Sequence, residues 1–86
     1  MSERTATIAA SAGLHARPAS TFVQAVNAAG VPVTISLNGG PAKNAASILA
    51  VLSLGAGQGA QVTISSEDEA VLDSLVTVLE TGDEGH

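Results

Sequence analysis

The sequence predicts an α+β domain of two layers, with three helices on one face of a four-stranded antiparallel sheet, in the order β-α-β-β-α-β-α. Three observations point there. Each candidate strand alternates apolar and polar residues, so one sheet face is wet and the other covered, as in antiparallel rather than buried parallel sheets. Between the strands lie segments whose apolar residues recur at helical spacing. Asn38-Gly39, between two extended runs, is a hairpin signal. With 86 residues, a single domain over 1–86 is expected.

Arg4 to Ala10 reads as the first strand, with Ala6, Ile8 and Ala10 inward and Thr5 and Thr7 outward. Ser11-Ala12-Gly13 is a loop. Pro18 to Ala29 reads as a helix with Ala19, Phe22, Val23, Val26 and Ala29 on one face, closed by Gly30 in the position where helices take a glycine. Val31 to Leu37 alternates again, and Pro32 suits a strand start or edge. A short return strand over Gly40 to Lys43 follows the Asn38-Gly39 turn. Asn44 or Ser47 can cap a short helix that runs through Leu54 and stops at Gly55. Ala60 to Ser65 is the last strand. Ser66-Glu67-Asp68-Glu69 fits a capping box, and the helix after it carries Val71, Leu72, Leu75, Val78 and Leu79 on one stripe. Thr81 to His86 reads as a frayed tail.

Composition excludes several functions. Acids outnumber bases by eight to three, and Arg4, Arg17 and Lys43 are too few for nucleic-acid binding or attraction to an anionic membrane. No cysteine is present, so disulfides and thiolate metal sites are excluded. No signal peptide is recognisable, and the longest apolar run, Ile48 to Leu54, is too short to span a bilayer. The cytoplasm is the expected location. No metal or other cofactor is expected. So small a domain cannot enclose a deep cleft, and its site should be shallow.

The chemistry concentrates at Gly13-Leu14-His15-Ala16-Arg17-Pro18-Ala19-Ser20, where a loop becomes a helix. The first turn of a helix offers unpaired N–H groups and a partial positive charge, which together can hold an anion. That potential, with Arg17 beside it, disfavours imidazolium at His15, whose unperturbed pKa is about 6.5. A neutral imidazole keeps a lone pair for attack on phosphorus. The phosphoryl oxygens would then meet the backbone N–H groups of Ala16 and Arg17 and the guanidinium of Arg17. Pro18 is tolerated in a first turn. The residues alone leave open a plain exposed loop histidine beside a solvated cation. The apolar residues of the second helix likewise leave two readings: a short helix buried all round, or an exposed patch for partner docking.

The stretch Gly13 to Ser20 resembles the active-site signature of the HPr family, the phosphocarriers of the bacterial sugar phosphotransferase system. Ser47-Ile48-Leu49-Ala50-Val51-Leu52-Ser53-Leu54-Gly55 is similar to that family's regulatory-serine segment and second helix. Gly59 to Ile64 is similar to its last strand. The resemblance spans nearly the whole chain and implies an open-faced β-sandwich. It implies that enzyme I, charged by phosphoenolpyruvate, passes a phosphoryl group to Nδ1 of His15 with help from Arg17. The group then goes to an enzyme IIA domain of a sugar permease. The carrier is thus not an enzyme in the ordinary sense, and a monomer is expected. Partner docking falls on Ser20, Gln24, Ile48, Leu49 and Leu52. Ser47 matches the serine that a dedicated kinase phosphorylates in many low-GC Gram-positive relatives. Here Ala46 stands where those relatives usually carry lysine and Leu49 replaces a common Met or Phe, and Ser47 also suits a plain helix N-cap. Two further readings are a carrier of the same fold in a nitrogen-related or dihydroxyacetone branch, and a regulatory module that binds partners without carrying phosphate. His15 argues against the last.

Overall fold

The computed structural model describes residues 2–9 and 16–81, with the side chains of 16–18 and 81 left aside. Its elements are β1 (Ser2–Thr7), α1 (Ala16–Ala29), β2 (Thr34–Leu37), β3 (Lys43–Asn44), α2 (Ile48–Ser53), β4 (Gln61–Ser66) and α3 (Glu69–Thr81). The sheet order is β1-β4-β2-β3, and every neighbouring pair is antiparallel.

Register sorts the side chains by face, because residues directly opposite in a sheet project to the same side. Val62 lies opposite both Ala6 and Leu37, and Ile64 opposite both Arg4 and Ile35. This is the helix-covered face. Thr63, between Thr5 and Ser36, and Ser65, between Glu3 and Thr34, belong to the other, polar face. Phe22 and Val26 of α1, Val51 of α2 and Leu72 and Leu75 of α3 close the core over Ile8, Ile35, Val62 and Ile64. Among the helices α1 is central, in contact with both α2 and α3.

The boundaries differ from the sequence expectation for local reasons. β1 covers 2–7 rather than 4–10. Ile8 still pairs with the β4 side, its N–H donating to the Ala60 carbonyl at 2.9 Å, but the next N–H, of Ala9, turns to the Leu79 carbonyl of α3 at 3.2 Å. Ala10 lies outside the described residues, as do residues 11–15 and the expected tail beyond Thr81. α1 begins at Ala16, two residues before Pro18, which a first turn accommodates because its N–H groups need no intrahelical acceptor. β2 starts only at Thr34, after Pro32, which has no N–H to offer a ladder.

The hairpin turn forms where Asn38-Gly39 places it. Asn38 and Gly39 have φ of 52° and 78°, and the Gly40 N–H closes the turn on the Leu37 carbonyl at 2.9 Å. Two successive positive φ values define the tight turn that matches strand twist. The return strand does not start at Gly40 as expected; it is Lys43–Asn44, since Pro41 interrupts the ladder. The capping box at Ser66 is also displaced. Ser66 ends β4, fully buried, and its Oγ accepts the Asp68 N–H at 3.2 Å. Asp68 is the cap of α3: its Oδ1 accepts the N–H groups of Ala70 and Val71 at 3.1 and 3.3 Å. A carboxylate there also favours the positive helix end.

Candidate functional site

α1 starts directly after the segment that holds His15. His15 itself and the side chain of Arg17 lie outside the described residues. The backbone of Ala16 and Arg17 forms the opening of α1, where N–H groups have no acceptor within the helix. Three buried side chains on one stripe, Ala19, Phe22 and Val26, press α1 onto the core and set the direction of that end.

The amide of Gln24 donates to Ser20 Oγ, one turn earlier, at 3.3 Å. Asn27 then ties α1 to the approach of α2. Its Nδ2 donates to the Val23 carbonyl at 2.9 Å and to the Ala46 carbonyl at 3.3 Å. Nothing in the sequence pattern marks Asn27 for this task beyond its spacing from Gln24 along one helix face. Of the two candidates for the cap of α2, Ser47 takes the role and Asn44 orders the turn before it. Asn44 Oδ1 accepts the Ala46 N–H at 2.9 Å and orders the turn. Ser47 is the N-cap, its Oγ accepting the Ala50 N–H at 3.3 Å. Gly55, with φ of 65°, ends the helix as expected.

The structure decides how α2 uses its apolar residues. Val51 is fully buried, while Ile48 and Leu52 are each 37% exposed and Leu49 is 77% exposed. A six-residue helix that rests on α1 and β3 can bury only one side. A second apolar side therefore stays open, next to α1, the helix that follows His15.

Arg4 is taken up elsewhere. It projects from β1 to α3, with Nε 3.0 Å from Asp73 Oδ1 and Nη2 3.4 Å from Glu69 Oε1. The hydrogen bond to Asp73 is the main cause that holds its pKa above the ordinary value, against a smaller opposing effect of burial. Ser2 Oγ donates to the other Glu69 oxygen at 2.9 Å. These partners stand 65 to 69 residues from the first strand, a separation no sequence spacing signals. An open groove lined by Val31, Pro32 and Ser66 to Glu69 lies beyond the C-terminal end of α1, away from the Ala16 end of that helix. Among the described residues no helix is long and apolar enough to cross a membrane.

Comparison with known proteins agrees with this arrangement. The family model described as the PTS HPr component phosphorylation site matches residues 2–81. A phosphocarrier protein HPr of Streptomyces coelicolor is 47% identical over 85 residues, which cover 95% of this chain and 91% of the relative. One from Haloferax volcanii is 41% identical over 83 residues, 92% of this chain and 93% of the relative. Among solved structures, HPr of Bacillus anthracis superposes with a TM-score of 0.84 at 32% identity, covering 91% of this chain and 95% of that one. HPr-C-His of Thermoanaerobacter tengcongensis gives 0.85 at 36% identity, covering 94% and 93%.

Proposed function

Because the chain belongs to the HPr family of phosphotransferase-system phosphocarriers, we propose that His15 takes a phosphoryl group on Nδ1 from phosphorylated enzyme I and delivers it to an enzyme IIA domain of a sugar permease. The family match from residue 2 to residue 81 carries this reading, since it runs through the whole His15 motif. In the forward step the Nδ1 lone pair forms the new N–P bond. The bond from phosphorus to the donor breaks, and its electron pair stays with the donor. The second step repeats this exchange with IIA as acceptor. Arg17 and the N–H groups of Ala16 and Arg17 hold the phosphoryl oxygens while the imidazole is charged with them.

A carrier must let go of both partners, and small interfaces with open apolar patches serve this purpose. Ser20, Gln24, Ile48, Leu49 and Leu52 form the docking surface in this reading. One carrier domain over residues 1–86, acting as a monomer in the cytoplasm, completes it. Phosphorylation of Ser47 belongs to the same proposal in cells that hold a serine kinase. Its Oγ is already an acceptor for the Ala50 N–H, and a phosphate oxygen could accept the same proton.

Incubation with phosphoenolpyruvate, Mg²⁺ and enzyme I should give an acid-labile, alkali-stable phosphohistidine. The His15→Ala variant should take up no label. Histidine label in that variant would overturn the site assignment.

A further inference from the structure

β1 is one margin of the sheet, which runs β1-β4-β2-β3. The Ile8 N–H donates to the Ala60 carbonyl, and the same register sets Ala6, Arg4 and Ser2 opposite Val62, Ile64 and Ser66. Because an antiparallel ladder alternates, these residues turn their backbone groups to β4, and Glu3, Thr5 and Thr7 turn theirs outward. Two of the outward groups have side chains in place of a strand. Arg4 Nη1 donates to the Glu3 carbonyl at 2.9 Å, and Glu80 Oε2 accepts the Thr7 N–H at 3.5 Å. Between them, Thr5 has no partner among the described residues for its N–H or its carbonyl. Acids border this edge. Glu69 holds Ser2 and Arg4, Asp73 holds Arg4, and Glu80 meets Thr7. Three carboxylates of α3 thus follow the strand along its length, and Glu3 stands on the polar face of the sheet. β3 and α2, at the other margin, contain no acid.

We propose that the outer edge of β1 takes up an extended segment of a protein partner that carries lysine or arginine, as a fifth strand of the sheet. An exposed strand edge is a template for pairing. In strand addition the main-chain bonds supply affinity and alternate side chains supply specificity. A partner residue opposite Thr5 exchanges both backbone bonds with it. Its two neighbours, opposite Arg4 and Ala6, project to the side of α3. Arg4 opposes a cation placed directly across from it. The position opposite Ala6, between the strand residues that Asp73 and Glu80 hold, is therefore the one for lysine or arginine. A cation there draws Glu80 from a bond at the limit of hydrogen-bond length and frees the Thr7 N–H for the incoming strand. Charge complementarity selects this occupant over a second copy of the chain. Two copies, each with a net charge of −5, would bring their α3 acids onto one face of the joined sheet. Because α2 rests beside β3, at the far margin, the added segment stays clear of Leu49.

The test uses the whole chain with a short synthetic peptide of alternating lysine and threonine, against one of alternating glutamate and threonine. The lysine peptide should slow exchange of the Thr5 amide by about tenfold or more and leave the amides of α2 unchanged. Its affinity, read by fluorescence anisotropy, should fall by about threefold or more between about 50 and about 500 mM NaCl. The glutamate peptide should not bind. Thr5→Pro removes the unpartnered N–H and sets a ring where the new strand would lie, a change that a strand edge tolerates. It should weaken binding of the lysine peptide by about tenfold or more. Glu80→Gln, which keeps an acceptor and loses the charge, should weaken it by about twofold or more. Thermal melts check that both variants fold, and the Thr5 exchange rate in the unaltered chain decides the question without them. Unchanged exchange at Thr5 overturns the inference. Equal binding to the Thr5→Pro variant also overturns it, since attraction to the acids alone would then suffice. Protection of Thr5 that rises with protein concentration in the absence of peptide overturns it in favour of a second copy.

Discussion

Asn27 on α1 donates to the backbone carbonyl of Ala46, 3.3 Å away and immediately before the N-cap of α2. One side chain thus couples the helix that follows His15 to the helix that carries the exposed leucines. Replacing Asn27 by Ala removes this bond and the one to Val23. The expected loss is about 0.5–1.5 kcal/mol, read by urea unfolding. Hydrogen exchange should accelerate in α2 more than in α3, because only α2 loses its tether. Equal acceleration in the two helices would contradict the coupling.

Phe22 is the single aromatic residue and is fully buried. No neighbouring ring can fill the space it would leave. Phe22→Ala should cost about 3–5 kcal/mol, a large share of the stability of so small a domain. Phe22→Leu should cost much less. A Phe22→Ala variant with an unchanged denaturation midpoint would show that Phe22 is not the core residue described.

Ser47 caps α2 through the Ala50 N–H. Ser47→Ala should destabilise by about 0.5–2 kcal/mol, and Ser47→Asp, which can also cap, by less. The order of the two variants in chemical denaturation checks the capping role. A more stable Ser47→Ala variant would exclude it.

Arg4 joins β1 to α3 through Asp73 and Glu69. Arg4→Gln should lower the melting temperature slightly at low salt, and the difference should shrink at about 1 M NaCl, where the Debye length is about 3 Å. Its raised pKa places this contribution on the low side of the titration. The bonus is complete below the unfolded value and is lost only as pH rises through the folded one, far above neutrality. Between pH 6 and about 9 the effect of Arg4→Gln should therefore not vary through the arginine itself.

Arg17→Ala should slow phosphoryl transfer by at least about tenfold, the lower end of what a charge-stabilising group supplies. It should not lower the melting temperature, because a cation in the first turn opposes the helix dipole. Stopped transfer with an unchanged melt assigns Arg17 to the chemistry. A fall in both together assigns it to the fold.

The element order and the core were legible because they depend on periodicity. Alternation at Ala6, Val62, Ile64 and Ile35 and the stripe Leu72, Leu75 and Leu79 each constrain one face of one element, and burial follows that face. Turn chemistry was equally local: Asn38-Gly39, Gly30 and Gly55 sit at positive φ as their residue types suggest. The misplaced boundaries share another cause. β1 ends where Ala9 finds a carbonyl on α3, and the cap of α3 is Asp68 because Ser66 is claimed by the buried end of β4. Both depend on partners that periodicity cannot see.

The sequence by itself determined the family, because a motif of adjacent residues needs no distant partner to be recognised. Tertiary structure decided the surroundings. Whether Leu49 is core or open surface, whether Arg4 is a free cation or the link between β1 and α3, and where the acids stand relative to α2 all turn on contacts between segments far apart in the chain. Such contacts arise only when the helices settle on the sheet. A short helix with one neighbour on each flank must then leave a side uncovered.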